Sequence, residues 1–180
     1  NYDDVCEAIR LCGAVSGNNE RAAAVQQELA RRMQQEIAKA PREPVRVAIL
    51  FGTSQAVTLD YETSIASDVA RRLGFTDVFA GRGQTESARL APFSLEALAA
   101  ADPDVILLRS MARRGESDGI FDKALLDQPA WATLRAVRNG RVYRLPQELF
   151  TSNPGIEYPQ AVRYMADIVG GHANSGEERQ

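Results

Sequence analysis

Histidine is almost missing from this chain: among its 180 residues only His172 is one. That residue lies in a Gly-rich polar tail, GGHANSGEERQ, which reads as frayed. A Ser-His-Asp or Cys-His mechanism would have to use it, which argues against a hydrolase. Cysteine is nearly as scarce. Cys6 and Cys12 lie about 240° apart around a helix and cannot bridge each other. They read as two small buried apolar side chains, since a zinc or redox site needs closer spacing and more ligands. Lysine is reduced to Lys39 and Lys123, so nearly all of the 21 basic residues are Arg, and no Arg is functional merely for being one. A basic excess is also missing: the formal net charge is -3, and nothing in that balance points to nucleic acid. No apolar run approaches the roughly 18 residues of a membrane-spanning helix. Nothing after Asn1 resembles a signal peptide. There is no GxxxxGK[ST] loop, no HExxH and no pair of CxxC motifs. Gly81-Arg82-Gly83 lacks the third glycine and the preceding strand of a dinucleotide fingerprint.

What is present is the balance of a globular chain with a core, 44% apolar and 25% charged. The first forty residues read as two helices. Tyr2 to Ser16 carries Val5, Ile9, Leu11, Cys12 and Val15, with Gly17 as its stop. Asn18-Asn19 opens a longer helix on which Ala22, Val25, Leu29, Met33 and Ile37 form one narrow apolar stripe. Its other faces are Gln, Glu and Arg, so it must lie along a surface with one side covered; Pro41 and Pro44 end it. Strands and helices then alternate. Val45–Phe51, VRVAILF, is a nearly continuous apolar run rich in β-branched residues, as in a strand buried on both faces. Gly52 to Asp60 reads as a loop, and Thr63 or Ser64 caps a helix closed by Gly74. Asp77–Ala80 is a short strand and Ser94 caps LEALAAA. Asp104–Leu108 is a second firm strand. A helix from Asp127 runs through Trp131, Leu134 and Val137 to Asn139-Gly140. Arg141–Leu145 is the next strand and Ala161–Val169 a final amphipathic helix. The fold class is α/β: a three-layer αβα lobe with a mostly parallel central sheet, preceded by a long helix.

Ligands of open α/β sheets sit outside the carboxyl ends of the strands. Four loops line that edge in this reading: Gly52-Thr53-Ser54-Gln55, Arg82-Gly83-Gln84, Arg109 to Arg114 with Met111 and Arg113, and Phe150 to Asn153. They offer hydroxyls, amides, an aromatic ring and guanidinium groups without a general base, which suits holding a bulky anionic ligand. Thr53, Ser54, Arg109, Arg113 and Phe150 are expected together at one end of the sheet, partly exposed. Asp102 and Asp104 flank the start of a strand at the opposite end and read as caps and turn formers.

Several blocks carry a resemblance. VAILFGTSQAVTLDYETSIASDVARRLG is followed by FSLEALAAADPDVILL, by DQPAWATLRAVRNGRVYRLP and by YPQAVRYMADIVG. This succession resembles the C-terminal lobe of the periplasmic substrate-binding proteins that feed ABC importers for iron siderophores, haem and cobalamin, the class whose two lobes are joined by a long spine helix. The Ser-x-Glu-x-Leu and Asn-Gly-Arg-Val-Tyr blocks carry it furthest. The resemblance implies that residues 1–17 are the last helix of an absent N-terminal lobe. Residues 18–43 would be the interlobe spine helix and linker, 44–170 the ligand-binding lobe and 171–180 a frayed tail. The exposed apolar face of the first helix would then fold back on the spine or be covered by a second copy in a dimer of the fragment.

The same resemblance implies a non-enzymatic solute-binding component with no resident cofactor, which captures a metal chelate between its lobes and delivers it to the importer's permease. A ferric siderophore is favoured over haem or cobalamin. Tyr61 and Met111 are candidates for the Tyr, His or Met ligands of haem binders, and His172 is poorly placed. Leu90 stands where cobalamin binders carry an aromatic residue. Glu96 falls where the family's transporter-docking Glu lies, and is expected to be exposed without an Arg or Lys partner. The location would be periplasmic or extracytoplasmic, with the membrane reached only through the transporter or a lipid anchor outside this chain. A chelatase-like or other metallo-enzyme lobe handling a tetrapyrrole is the alternative, since lobes of this architecture serve both; a pure interaction module, binding no small ligand at these loops, is a third.

Overall fold

The structure, a computed structural model, describes residues 1–53, 56–60, 62–81, 93–111, 121 and 125–171. Helix α1, Tyr2–Ser16, is opened by Asn1, whose side chain accepts from the Asp3 and Asp4 amides while Asp4 answers in a capping box. Gly17 closes it at φ 72°, a left-handed conformation that costs glycine nothing. Helix α2, Asn19–Ile37, runs back beside α1, and Gln26 Nε2 donates to the Cys6 carbonyl at 2.7 Å. The first helix therefore folds back onto the second, burying Val5 and half-covering Ile9. Cys6 is only half-buried and Cys12 is exposed. This corrects the reading of both as buried: α1 has one covered side, and most of its circumference faces outward.

The sheet is built from β1 (Arg46–Gly52), β2 (Val57–Leu59), β3 (Thr76–Asp77), β4 (Val105–Ser110) and β5 (Val142–Arg144). Its order is β2-β1-β4-β5, and β3 also pairs with β1. The pairs of β1 with β3 and β4, and of β4 with β5, are parallel; β2 is antiparallel to β1, with Gly52 opposite Val57. The stretch from Gly52 to Asp60 thus contains a strand that the sequence reading treated as loop. Its three residues are too few to show an alternating pattern.

Alternation along the strands separates two cores. Val47, Ile49, Val105 and Leu107 face α1, α2, α3 (Ile65–Arg72) and the last helix. Ala48, Leu50, Ile106 and Leu108 face α4 (Leu95–Ala101), Trp131 and α5 (Arg135–Arg138). Two short segments complete the lobe, α6 (Gln147–Phe150) and the final helix α7 (Tyr158–Val169). The expected single helix through Trp131 and Val137 is broken. A 3-10 turn at Trp131–Thr133 gives way to extended Leu134 at ψ 137°, which drops its side chain into the core before α5 begins. Asp102 caps α4 at φ 41°, and Asp104 accepts from the Arg46 amide at 2.9 Å, so both act as turn formers.

On the first face the layers are tied by a hub. Asp68 on α3, 2% exposed, accepts from the Tyr158 hydroxyl at 2.7 Å, Arg72 Nε at 2.9 Å and the Tyr2 amide at 3.2 Å, and from Arg71. It binds α1, α3 and α7 through one carboxylate.

Candidate functional site

Strand register decides which residues reach the carboxyl edge. Gly52 of β1 lies opposite Ser110 of β4, so Thr53 and Met111 leave the sheet side by side. Thr53 closes a tight turn: its amide donates to the Ala56 carbonyl at 2.9 Å, its hydroxyl to the same carbonyl at 3.0 Å, and it receives the Ala56 amide at 3.1 Å. Met111 is exposed, and its carbonyl accepts from Gln147 Nε2 at 2.9 Å. Thr151 Oγ1 donates to the Ser110 carbonyl at 2.9 Å. Gln147 and Thr151 thus tie the exit of β4 to α6; the sequence reading placed Thr151 in a loop at this edge but did not anticipate Gln147. Neither residue belongs to a motif; only the return of the chain after β5 brings them there.

Beneath this rim lies a buried ion pair. Arg109 Nε and Nη2 donate to the two oxygens of Asp60 at 3.0 and 2.6 Å, and Ser64 Oγ donates to Asp60 at 2.7 Å. The guanidinium carbon stands 4.0 Å from the centroid of Phe51. This corrects the placement of Arg109 on an exposed loop: β4 continues to Ser110, and Arg109 is 3% exposed within it. Phe150 is corrected too. It ends a helical turn that directs its ring into the core, 5.9 Å from Tyr164 and 1% exposed. Of the five residues expected together, Thr53 reaches the rim, beside Met111, whereas Arg109 and Phe150 lie below it. Ser54, Gln55, Tyr61, Arg82, Leu90, Arg113 and His172 fall outside the described residues.

Two carboxyls elsewhere in the lobe are shifted in opposite directions. Burial pushes the Asp77 carboxyl up to about 6; the Phe79 amide, 2.9 Å away, opposes this, while the charges of Asp60 and Glu62 add to it. Glu96, in the first turn of α4, is exposed and accepts from Ser94 Oγ at 2.7 Å, which holds its carboxyl below the ordinary range. No Arg or Lys among the described residues pairs with it. The described residues contain no group of three His, Cys, Asp or Glu placed to hold a metal ion, and no helix among them is long and apolar enough to cross a membrane.

A family model described as periplasmic binding protein matches residues 1–149. The chain belongs to the periplasmic binding protein family. No curated protein sequence matches it. Among solved structures, it is similar to an ABC transporter substrate-binding protein from Listeria monocytogenes EGD-e. The two are 24% identical with a TM-score of 0.79, over 93% of this chain and 64% of that one. It is also similar to S. aureus IsdE complexed with heme: 20% identity, TM-score 0.74, covering 91% of this chain and 62% of that one. An Fe3+-hydroxamate transport system protein from Saccharomonospora viridis is 24% identical with a TM-score of 0.72, over 94% of this chain and 56% of its own length. These likenesses establish the α/β periplasmic binding protein fold. The chain spans about 64% of the first structure's length.

Proposed function

We propose that this member of the periplasmic binding protein family is the ligand-holding lobe and spine of a solute-binding component of an ABC importer. Its ligand class is a metal chelate, ferric siderophore before haem or cobalamin. The carrying observation is the carboxyl edge. There the exposed Met111 side chain stands on a rim braced by Thr53, Gln147 and Thr151, while the nearby charges of Asp60 and Arg109 neutralise one another. Such an edge holds a ligand and leaves it unchanged, in keeping with a carrier rather than an enzyme. The ligand classes of the haem-bound and hydroxamate relatives support the choice of chelate. If haem is the ligand, the exposed Met111 thioether is the iron-ligating group we place on this side.

Residues 1–17 would belong with the second lobe, 18–43 form the spine and 44–170 this lobe. An apolar groove of about 400 Å³ between α1, α2 and Asn153–Ile156, bordered by Val25 and Ile156, is where we place contact with that second lobe. Delivery would be extracytoplasmic, at a membrane permease, with Glu96 as the docking charge. A rim charge acts chiefly on encounter rate and orientation, in a salt-dependent way.

The test is titration of the protein with haem, a ferric trihydroxamate and cobalamin, read by the chelate's absorbance and by quenching of the single tryptophan, Trp131. Saturable binding of one chelate supports the reading; no binding of any removes it. Glu96→Ala should leave that affinity unchanged while weakening association with the permease. Normal transport by the variant would return Glu96 to the role of a helix cap.

A further inference from the structure

The ion pair beneath the rim joins three separate segments. Asp60 directly follows β2, the strand that folds back from the end of β1, and its amide donates to the Ile49 carbonyl at 3.0 Å. Arg109 is the second residue from the end of β4, on the other side of β1. Ser64 caps α3, its hydroxyl donating to Asp60 while receiving the Ser67 amide at 3.0 Å. One carboxylate therefore fixes the β1–β2 turn, the end of β4 and the start of α3 relative to each other. Its partner is clamped in turn, in two-pronged contact with Asp60 and stacked on Phe51, with the two side chains 4% and 0% exposed.

Stability alone does not account for such a pair. Two charges taken out of water lose their hydration, and apolar residues of similar volume often do as well or better in the same place. What apolar residues cannot supply is direction. A planar guanidinium on a carboxylate permits one register and one orientation, whereas apolar contacts tolerate sliding.

We propose that Asp60 and Arg109 are positioning residues for the ligand edge, holding the Thr53 turn and Met111 in one arrangement before the ligand arrives. The inference rests on the reading of this edge as a ligand site, and it assigns the pair no contact with the ligand. A pre-formed edge avoids the cost of ordering its loops on binding, and so raises affinity.

The experiment compares wild type with the Asp60→Leu/Arg109→Met double variant. Either single change leaves a buried charge alone and lowers the melting temperature, whereas the double variant should melt within a few degrees of wild type. At that matched stability, amide hydrogen exchange at Thr53, Ala56 and position 60 should be at least tenfold faster, with Ile106 in mid-sheet unchanged. Haem or ferric trihydroxamate, whichever wild type binds, should bind about tenfold more weakly. Arg109→Lys, which keeps the charge but not the planar fork, should show the same local opening to a smaller degree and serves if the double variant fails to fold. Unchanged exchange at the three amides overturns the proposal, as does faster exchange with undiminished chelate binding. If wild type binds neither chelate while the local opening occurs, positioning of the edge stands and the ligand reading falls.

Discussion

Asp68 is the residue whose loss should reach furthest, because three elements meet on its carboxylate. In Asp68→Ala the Tyr158 hydroxyl, on a residue with no exposed surface, would lose an acceptor 2.7 Å away. A buried polar group left unsatisfied costs about 1–3 kcal/mol. Arg72 would lose one partner but keep Asp3 at 3.0 Å and the ring of Tyr2 at 4.6 Å, and its side chain is 20% exposed. That part is worth about 1 kcal/mol after solvent screening. Together they give a destabilisation near 3 kcal/mol. For a chain of this size that is a fall in melting temperature of about 6–12 °C.

The pH dependence follows from the same contacts. Burial by itself would raise the Asp68 carboxyl, but Arg72 Nε, the Tyr158 hydroxyl and the Tyr2 amide outweigh it and hold it below the usual range. A carboxyl depressed in the folded state stabilises above its unfolded value of about 3.9 and loses that contribution as pH falls further. Wild type should therefore lose stability below about pH 4 more steeply than Asp68→Asn. The assay is urea denaturation followed by circular dichroism, with a double-mutant cycle of Asp68→Asn and Tyr158→Phe. A coupling of at least about 1 kcal/mol is expected. Coupling below about 0.5 kcal/mol, or an acid limb identical in Asp68→Asn, would refute the hub.

Two further changes test the packing and the charge. A Cβ at Gly13 would stand 2.4 Å from Cβ of Ala22, so Gly13→Ala should destabilise the α1–α2 contact by about 1–3 kcal/mol despite its better helix propensity; Ala22→Gly in the same chain should restore much of the loss in a thermal melt. Asp77, pushed up to about 6, is penalised when charged, so its folded form gains as pH falls from 8 to 5. Its own contribution to that gain should reach about 1.4 kcal/mol, and Asp77→Asn should abolish it in melts at the two pH values.

Much of the architecture was legible in the chain itself. The unbroken apolar run ending at Phe51 and the DVILL segment could only be strands covered on both faces. Ser64, Ser94, Gly17 and Gly74 marked helix ends because capping is a matter of neighbours a few residues away. The site was legible only in part. That Thr53 and Met111 reach one edge follows from strand direction, which the alternation of elements already implies. That Arg109 turns inward does not. Its partner Asp60 is 49 residues distant, and nothing local distinguishes a guanidinium bound for a buried carboxylate from one on a solvated loop. Phe150 was misplaced for a related reason, since a single helical turn shows no periodicity. Local chemistry determined where elements begin and end, while the meeting of β1, β2 and β4 decided which charged side chains are buried, because only tertiary contact brings distant partners within hydrogen-bonding reach.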